Sequence, residues 1–398
     1  MKLNNVAVIG LGYVGLPLAI AACDADYQVI GIDSNSEKIK NINSGHSFIE
    51  GIDDMKISEF ISSKKLVLSE DFALVADVQT VVICVPTPLL KTRKPDLSYL
   101  ISALSSVGNY ISKGALIIIE STVSPGTTRN LVPMIIRNAS KLNDSDFDLA
   151  FSPERIDPAN KLWGVLNTPK LLAGMTTTAI TKAKEFYSKF VETIIVCESL
   201  EVAEAAKLLE NSFRFINISF INELSIFCNK IGIDINNVID AASTKPYGFM
   251  PFYPSVGIGG HCIPVDPLYL ADKAIELGVP HRFIDLADRI NLEVPGYFVS
   301  RAEEKLGGLK GKKVLVVGVS YKPNVADVRE TPVAALITGL RKKSAEVSWH
   351  DDLVKEWNGE KSIPLSDNYD LVIIATCHDY IDLTKLGSVP VINSRGST

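Results

Sequence analysis

Val6-Ala7-Val8-Ile9-Gly10-Leu11-Gly12-Tyr13-Val14-Gly15 decides the fold. Four apolar residues read as a buried strand, and the G-x-G-x-x-G after them lets the chain turn tightly and bring its backbone against a pyrophosphate at a helix N-terminus. Alone, that pattern is weak. Here a second strand-like run, Val29-Ile30-Gly31-Ile32, closes on Asp33, at the distance where a carboxylate accepts hydrogen bonds from adenosine ribose hydroxyls. Ser34-Asn35 follows, not Arg, and a carboxylate there repels a 2′-phosphate, so the expected cofactor is NAD, not NADP. Gly10, Gly12, Tyr13, Val14, Gly15 and Asp33 are its expected contacts.

Working outward, Thr80-Val81-Val82-Ile83-Cys84-Val85 and Leu116-Ile117-Ile118-Ile119 are further strands, separated by amphipathic segments. This alternation predicts β-α units around a parallel sheet. The loops Cys84-Val85-Pro86-Thr87-Pro88 and Ser121-Thr122-Val123 then leave the carboxyl edge of that sheet, where open α/β sheets bind ligands. Pro86, Thr87, Ser121 and Thr122 are expected on the nicotinamide side. Ordinary loop chemistry is the alternative, since Pro, Ser and Thr frequent turns.

From residue 200 to 231 the pattern becomes helical with no Gly or Pro, and residues 268–277 and 283–292 continue the helical character. A helical middle domain is expected, offering a platform for a homodimer or higher homo-oligomer. The last hundred residues then repeat the opening theme. Val314-Leu315-Val316-Val317-Gly318 echoes Val6 to Gly10, residues 347–351 echo the strand ending at Asp33, 370–376 echo 77–85, and 389–393 echo 116–121. The fold class is therefore α/β, with two Rossmann-like doubly wound domains joined by a helical middle domain with a long central helix. Boundaries are expected at 1–196, 197–300 and 301–398.

Composition excludes several function classes. Hydrophobic content of 46% with 22% charged residues is that of a folded globular chain. With 40 Lys and Arg against 46 Asp and Glu, a net charge of -6 gives no electrostatic reason to expect nucleic acid. The first strand begins too early for a secretory signal, and no apolar run approaches the roughly 20 residues of a membrane helix. A cytoplasmic protein with no membrane partner is expected. Cysteines at 23, 84, 197, 228, 262 and 377 lack metal-site spacing, so no metal is expected.

Gly257-Ile258-Gly259-Gly260-His261-Cys262-Ile263-Pro264-Val265-Asp266 puts a thiol after a glycine run and a carboxylate four residues on. A thiol needs help to ionise near neutral pH, which a helix N-terminus or a nearby Lys supplies. A single Cys is also, and more often, a small buried hydrophobe. Lys207 and Asn211 are four apart on the long helix and share one face. A cation and an amide aimed together suit an oxyanion, although a solvated Lys beside a surface Asn is the commoner case. Pro153-Glu154-Arg155 ends another strand-like run, residues 147–152, and offers a carboxylate and a guanidinium at the sheet edge.

Taken together, residues 10–17, 84–88, 121–128, 152–158, 207–211, 257–266 and 320–332 resemble the UDP-glucose/GDP-mannose dehydrogenase family of nucleotide-sugar 6-dehydrogenases. The resemblance implies a four-electron oxidation of a C6 alcohol to a uronic acid, two NAD being reduced in turn. By it, Cys262 is the nucleophile, Lys207 and Asn211 stabilise the oxyanion, Asp266 with Thr122 positions water, and Glu154 is the base for thioester hydrolysis. It further implies substrate contacts at Glu154, Arg155, Lys207, Asn211, Phe252, Tyr253, Gly259, Lys322 and Arg329. The segments Ser152-Pro153-Glu154-Arg155-Ile156-Asp157-Pro158 and Gly260 to Pro267 look like the branch acting on UDP-N-acetylhexosamines, UDP-N-acetylglucosamine foremost, for surface polysaccharides such as capsule or O-antigen. The manno and galacto epimers and UDP-glucose are the alternatives. Ala159 where the family commonly has Gly, and Ser255-Val256 in place of Gly-Pro, are departures near the sugar. Two rivals stand beside this reading: a two-electron β-hydroxyacid dehydrogenase, and an inactive nucleotide-sugar- or NAD-binding regulator.

Overall fold

The computed structural model describes residues 5–47, 49, 52–156, 160 and 162–396. Asp157, Pro158 and Ala159, part of the segment that the sequence reading assigned to the sugar, lie outside them. The chain divides into two compact units, one up to Leu209 and one from Glu210 onward.

Among the described residues the first unit is built on eight strands: β1 (Asn5–Ile9), β2 (Gln28–Ile32), β3 (Leu66–Ser69), β4 (Thr80–Ile83), β5 (Leu116–Ile119), β6 (Asp148–Phe151), β7 (Lys170–Gly174) and β8 (Ile194–Val196). Their order is β3-β2-β1-β4-β5-β6-β7-β8, parallel throughout except where β7 runs antiparallel to β6. The strands are short apolar runs because both faces are covered. On one face Val6 and Val8 pack with Leu16, Leu18, Phe186 and Tyr187 from α1 (Gly15–Asp24) and, further along the chain, α6 (Thr177–Tyr187). Between these helices come α2 (Ser36–Asn43), α3 (Asp54–Ser62), α4 (Ser98–Gly108) and α5 (Thr127–Ala139). On the other face Ala7 and Ile9 pack with Leu100, Leu104, Val132 and Ile136 from α4 and α5. This is the doubly wound order expected from the sequence. Register pairs Ile9 with both Ile32 and Ile83, so Gly10, Asp33 and Cys84 leave the sheet at one level of its carboxyl edge.

Helix α7 (Leu200–Lys230) starts in the first unit and ends in the second, as its unbroken helical composition predicts. It is followed by α8 (Ile235–Ser243), α9 (Asp266–Glu276) and α10 (Arg282–Leu306). The last of these outruns the expected 283–292, continuing through Pro295. Proline inside a helix costs about 3 kcal/mol, and here Val294, Phe298, Val299 and Ala302 are buried around it in a shared core, which offsets that cost.

The second unit ends in a parallel four-stranded sheet of order β10-β9-β13-β14, from β9 (Lys313–Val317), β10 (Glu346–His350), β13 (Leu371–Ile374) and β14 (Val391–Asn393); α11 (Val333–Lys342) follows β9, and a small hairpin of β11 (Glu356–Trp357) and β12 (Glu360–Lys361) follows β10. The repeat read in the sequence extends to single hydrogen bonds. After β1, Gly10 has φ +90° and Leu11 N–H donates to Asp33 at 2.8 Å; after β9, Gly318 has φ +83° and Val319 N–H donates to Asp351 at 2.9 Å. Among the described residues no helix is long and apolar enough to cross a membrane, and all six cysteines are free thiols.

Candidate active site

The glycine loop of the first unit has the shape a pyrophosphate requires. A Cβ on Gly10 would stand 2.7 Å from the Cys84 carbonyl oxygen, and one on Gly15 only 1.9 Å from the Gly10 carbonyl oxygen, so these two positions admit no side chain. A Cβ on Gly12 would meet nothing within 4 Å. That face, at the start of α1, is open, as the approach of a phosphate to the helix N-terminus would need. Tyr13 and Val14 are half-buried beside it. Asp33, 8% exposed, accepts from Leu11 N–H at 2.8 Å, Asn35 N–H at 3.0 Å and Lys38 Nζ at 2.6 Å. Its carboxylate is thereby held at the end of β2, and these residues fit an NAD adenosine half: Gly10 to Gly15 for the phosphates and Asp33 for the ribose. The two loops expected further along the edge are joined. Ser121 Oγ donates to the Val85 carbonyl at 2.7 Å, between the half-buried Thr87 and Thr122, with Pro86 exposed.

Beside these loops lies a buried charge cluster. Glu120, at the end of β5, accepts from the Tyr187 hydroxyl and from Lys170 Nζ at 3.0 Å. Glu154 follows β6; its Oε1 accepts from Arg155 N–H at 2.7 Å and Ile156 N–H at 2.6 Å, while Oε2 lies 3.8 Å from Lys170 Nζ. Arg155 turns its guanidinium to the Pro169 carbonyl at 2.7 Å. Burial pushes the Glu120 carboxyl up against the opposing Lys170 charge, whereas the two carboxylates hold Lys170 protonated despite its burial. Of this cluster the sequence reading names Glu154 but not Glu120, Lys170 or Tyr187. Of these, only a Lys opening a strand run, in Lys170-Leu171-Leu172-Ala173, carries a local signal.

In the second unit the Cys262 loop is boxed by its neighbours. Gly260 has φ +84° and a Cβ there would meet the Tyr321 ring at 2.8 Å; a Cβ on Gly259 would meet the Glu330 carbonyl oxygen at 2.8 Å. Gly260 N–H donates to the Arg329 carbonyl at 3.1 Å. Cys262 is half-buried just ahead of α9, and its carbonyl accepts from Val265 and Asp266 N–H. Asp266, 3% exposed at the start of α9, receives Asn211 Nδ2 from α7 at 2.6 Å. The structure thus joins Asn211 to Asp266, and the Cys262 loop to the segment around Arg329. Lys207 lies one turn before Asn211 on α7, in the first unit. Phe252 packs edge-on to Phe213 with ring centroids 5.7 Å apart, and Tyr253 is exposed.

Lys322 sits in a tethered loop. Asn324 N–H donates to His378 Nδ1 at 2.8 Å, and fully buried His378 turns Nε2 to Asp351 at 3.1 Å. A backbone N–H can only donate, so Nδ1 holds the lone pair and Nε2 the proton. Burial pushes the Asp351 carboxyl up, yet the bonds from His378 and from the N–H groups of Val354 and Ser320 outweigh it and hold it well below the usual range. This buried Asp351, unlike Asp33, is fully spent on the protein itself. Arg329 is likewise engaged, its Nε at 2.9 Å from Asp327 Oδ1.

Residues 4–191 match the NAD binding domain of the UDP-glucose/GDP-mannose dehydrogenase family, 201–293 its central domain and 315–392 its UDP binding domain. The chain belongs to that family. It is an NAD-dependent nucleotide-sugar dehydrogenase. This family member is 34% identical over 387 residues to UDP-N-acetyl-D-glucosamine 6-dehydrogenase of Salmonella typhi, covering 94% of this chain and 90% of that protein. It is equally 34% identical, over 382 residues, to UDP-N-acetyl-D-mannosamine dehydrogenase of Pyrococcus horikoshii, covering 94% and 89%. A solved structure of UDP-D-ManNAc dehydrogenase from Pyrococcus horikoshii superposes with a TM-score of 0.90 at 32% identity, covering 98% of this chain and 95% of that one.

Proposed function

We propose that the protein oxidises the C6 alcohol of a UDP-N-acetylhexosamine, UDP-N-acetylglucosamine first among them, to the uronic acid through a thioester on Cys262. What supports this reading most is the second unit's packing. The glycines before Cys262 lie against Tyr321 and the backbone of Arg329 and Glu330 in the segment matched to UDP binding, with Asn211 and Asp266 bonded at the start of α9.

Bound NAD would supply the hydride acceptor for both oxidations. The protein's groups do the remaining work. Loss of a hydride from C6, with the hydroxyl proton released to solvent, gives the aldehyde; the Cys262 thiolate adds to it, and the resulting oxyanion needs donors, for which Lys207 and the Asn211 amide are the candidates. Loss of the C6 hydride from that adduct leaves a thioester. Water, held by Asp266 and Thr122, attacks the thioester carbon; Glu154 takes the water proton, the C–S bond breaks with its electron pair on sulfur, and the uronic acid leaves. Gly10, Gly12, Tyr13, Val14, Gly15, Asp33, Pro86, Thr87, Ser121 and Thr122 hold the cofactor. Phe252, Tyr253, Gly259, Arg155, Lys322 and Arg329 contact the sugar nucleotide.

UDP-N-acetylmannosamine is the second reading, carried by the equal identity to the two relatives named above. We take residues 1–196, 197–300 and 301–398 as cofactor, middle and sugar-nucleotide domains of a cytoplasmic enzyme for surface polysaccharide synthesis. A homodimer or larger assembly is favoured by Phe213, Phe220 and Phe227, exposed by 45, 57 and 58% at a seven-residue spacing along α7. The test is a panel of UDP-sugars with NAD, scored by product mass and by NADH formed per sugar. Two NADH per uronic acid are expected, and Cys262→Ser is expected to make no uronic acid while still binding NAD. One NADH per sugar, or normal uronic acid from that variant, would overturn the reading.

A further inference from the structure

We propose that buried Glu120 is a positioning residue for hydrolysis, drawing the Lys170 ammonium onto itself and so keeping it short of a direct bond with the Glu154 base. The inference rests on the reading of Glu154 as base, and goes beyond it to say what governs that base.

The geometry is specific. Glu154 Oε1 is occupied by the two backbone N–H groups of Arg155 and Ile156, which leaves Oε2 as the oxygen turned to Lys170 and able to accept from water. Lys170 Nζ stands 3.0 Å from Glu120 Oε1 but 3.8 Å from Glu154 Oε2. The first is a charge-assisted hydrogen bond and the second is not. Tyr187 donates to the same Glu120 oxygen and its ring lies 4.9 Å from the Lys170 ammonium, so the pair is fixed from below. Lys170 and Glu120 expose at most 9% of their side chains, so water does not screen them. Removing two charges from water is costly, and two apolar side chains would fill this space more cheaply. A role in tuning the neighbouring carboxylate accounts for the pair.

The charge logic follows. A cation at hydrogen-bond distance from Oε2 would make Glu154 a weaker base and occupy the oxygen that must receive the water proton. Lys170, held at 3.8 Å, leaves that oxygen open to water. Among the described residues, the other titratable or charged groups near Glu154 are Glu120 from the end of β5, Cys84 from the end of β4, whose thiol burial pushes up, and Arg155 next in the chain, its guanidinium bonded to the Pro169 carbonyl. Tyr187 reaches the cluster through Glu120.

Glu120→Gln keeps the shape and removes the pull on Lys170. In that variant we expect a burst of two NADH per Cys262, then steady turnover lower by about tenfold, with the acyl group found on Cys262 by intact mass. Its acid limb of kcat should move to lower pH, because Lys170 moves onto Glu154 and favours the charged form. Glu154→Gln run in parallel should trap the same acyl-enzyme and lose the acid limb. If Glu154→Gln traps nothing, the base assignment itself fails. If it traps acyl-enzyme while Glu120→Gln turns over as the parent does, or slows with its acid limb in place, the Glu120 proposal fails. Should Glu120→Gln not fold, Glu120→Gln with Lys170→Met removes both charges together, and its acid limb should rise above that of the parent; an unmoved limb overturns the proposal.

Discussion

At Gly12 and Gly15 two glycines of one motif do different work, and a single added methyl separates them. A Cβ on Gly15 would lie 1.9 Å from the Gly10 carbonyl oxygen, closer than any packing tolerates, while one on Gly12 meets no protein atom within 4 Å. Gly15→Ala must therefore displace the start of α1 and should lower stability by about 1–3 kcal/mol, the usual cost of forced overpacking. Gly12→Ala should unfold at the parental temperature but bind NAD at least about tenfold more weakly, since its methyl occupies only the space left for the pyrophosphate. Calorimetric unfolding and NAD titration of both variants check this. Equal loss of stability in the two, or undiminished NAD affinity in Gly12→Ala, would contradict the assignment of that open face.

Helix α5 has no side-chain cap of its own, for it starts after Gly126 in the left-handed conformation. Its first amides are met from α7, where buried Glu204 accepts from Gly126 N–H at 2.6 Å and Thr128 N–H at 2.8 Å. Nearby, Glu201 pairs with Arg129 Nε at 2.6 Å. The Arg129 bond draws the Glu201 carboxyl down from 4.5 to about 2, against a smaller opposing effect of burial. A carboxyl depressed on folding contributes stability that is whole above its unfolded value and is lost as pH falls through the folded one. Glu201→Gln should thus be less stable than the parent at about pH 6, with the deficit shrinking below 4.5 and closing near 2. Urea midpoints of both proteins across that range test it, and a deficit constant with pH would refute the pairing. Such ties explain what could be read from sequence alone. Gly10 to Gly15, Asp33 and the α7 run were legible because each signal is contained in a short stretch with its own periodicity. Glu120, Lys170 and Tyr187 were not, because each is unremarkable among its neighbours and they meet only through strand order and the packing of α6. The full length of α10 is not legible for a related reason: a proline inside a helix is locally unfavourable, and the buried residues that carry the helix past Pro295 act through tertiary contact.

Across the whole chain, one α/β design appears twice with opposite treatment of the same carboxylate. Asp33 closes β2 at the rim and carries a Lys38 partner, whereas Asp351 closes β10 with no exposed surface, bonded to His378, Ser320 and the amides of Leu353 and Val354. An acid so enclosed has no oxygen left for a ribose, which explains how a second Rossmann-like sheet coexists with a single dinucleotide motif and leaves the second unit to UDP. Each ligand should then protect its own unit. Saturating NAD should slow amide exchange at residues 9–15 and 33–35, and UDP alone at residues 319–330, where Tyr321 N–H bonds the Asp327 carbonyl and Asn324 N–H bonds His378. At one hundred times its dissociation constant either ligand stabilises what it binds by about 2.7 kcal/mol, enough to slow exchange by global or sub-global opening about a hundredfold. His378→Ala should abolish the UDP effect in that loop and spare the NAD effect, because it releases the Asn324 N–H and removes one donor from Asp351, both within the second unit. UDP protection confined to residues 9–15, or NAD protection at residues 319–330 in the absence of UDP, would mean that the division of labour between the two carboxylates has been drawn the wrong way round.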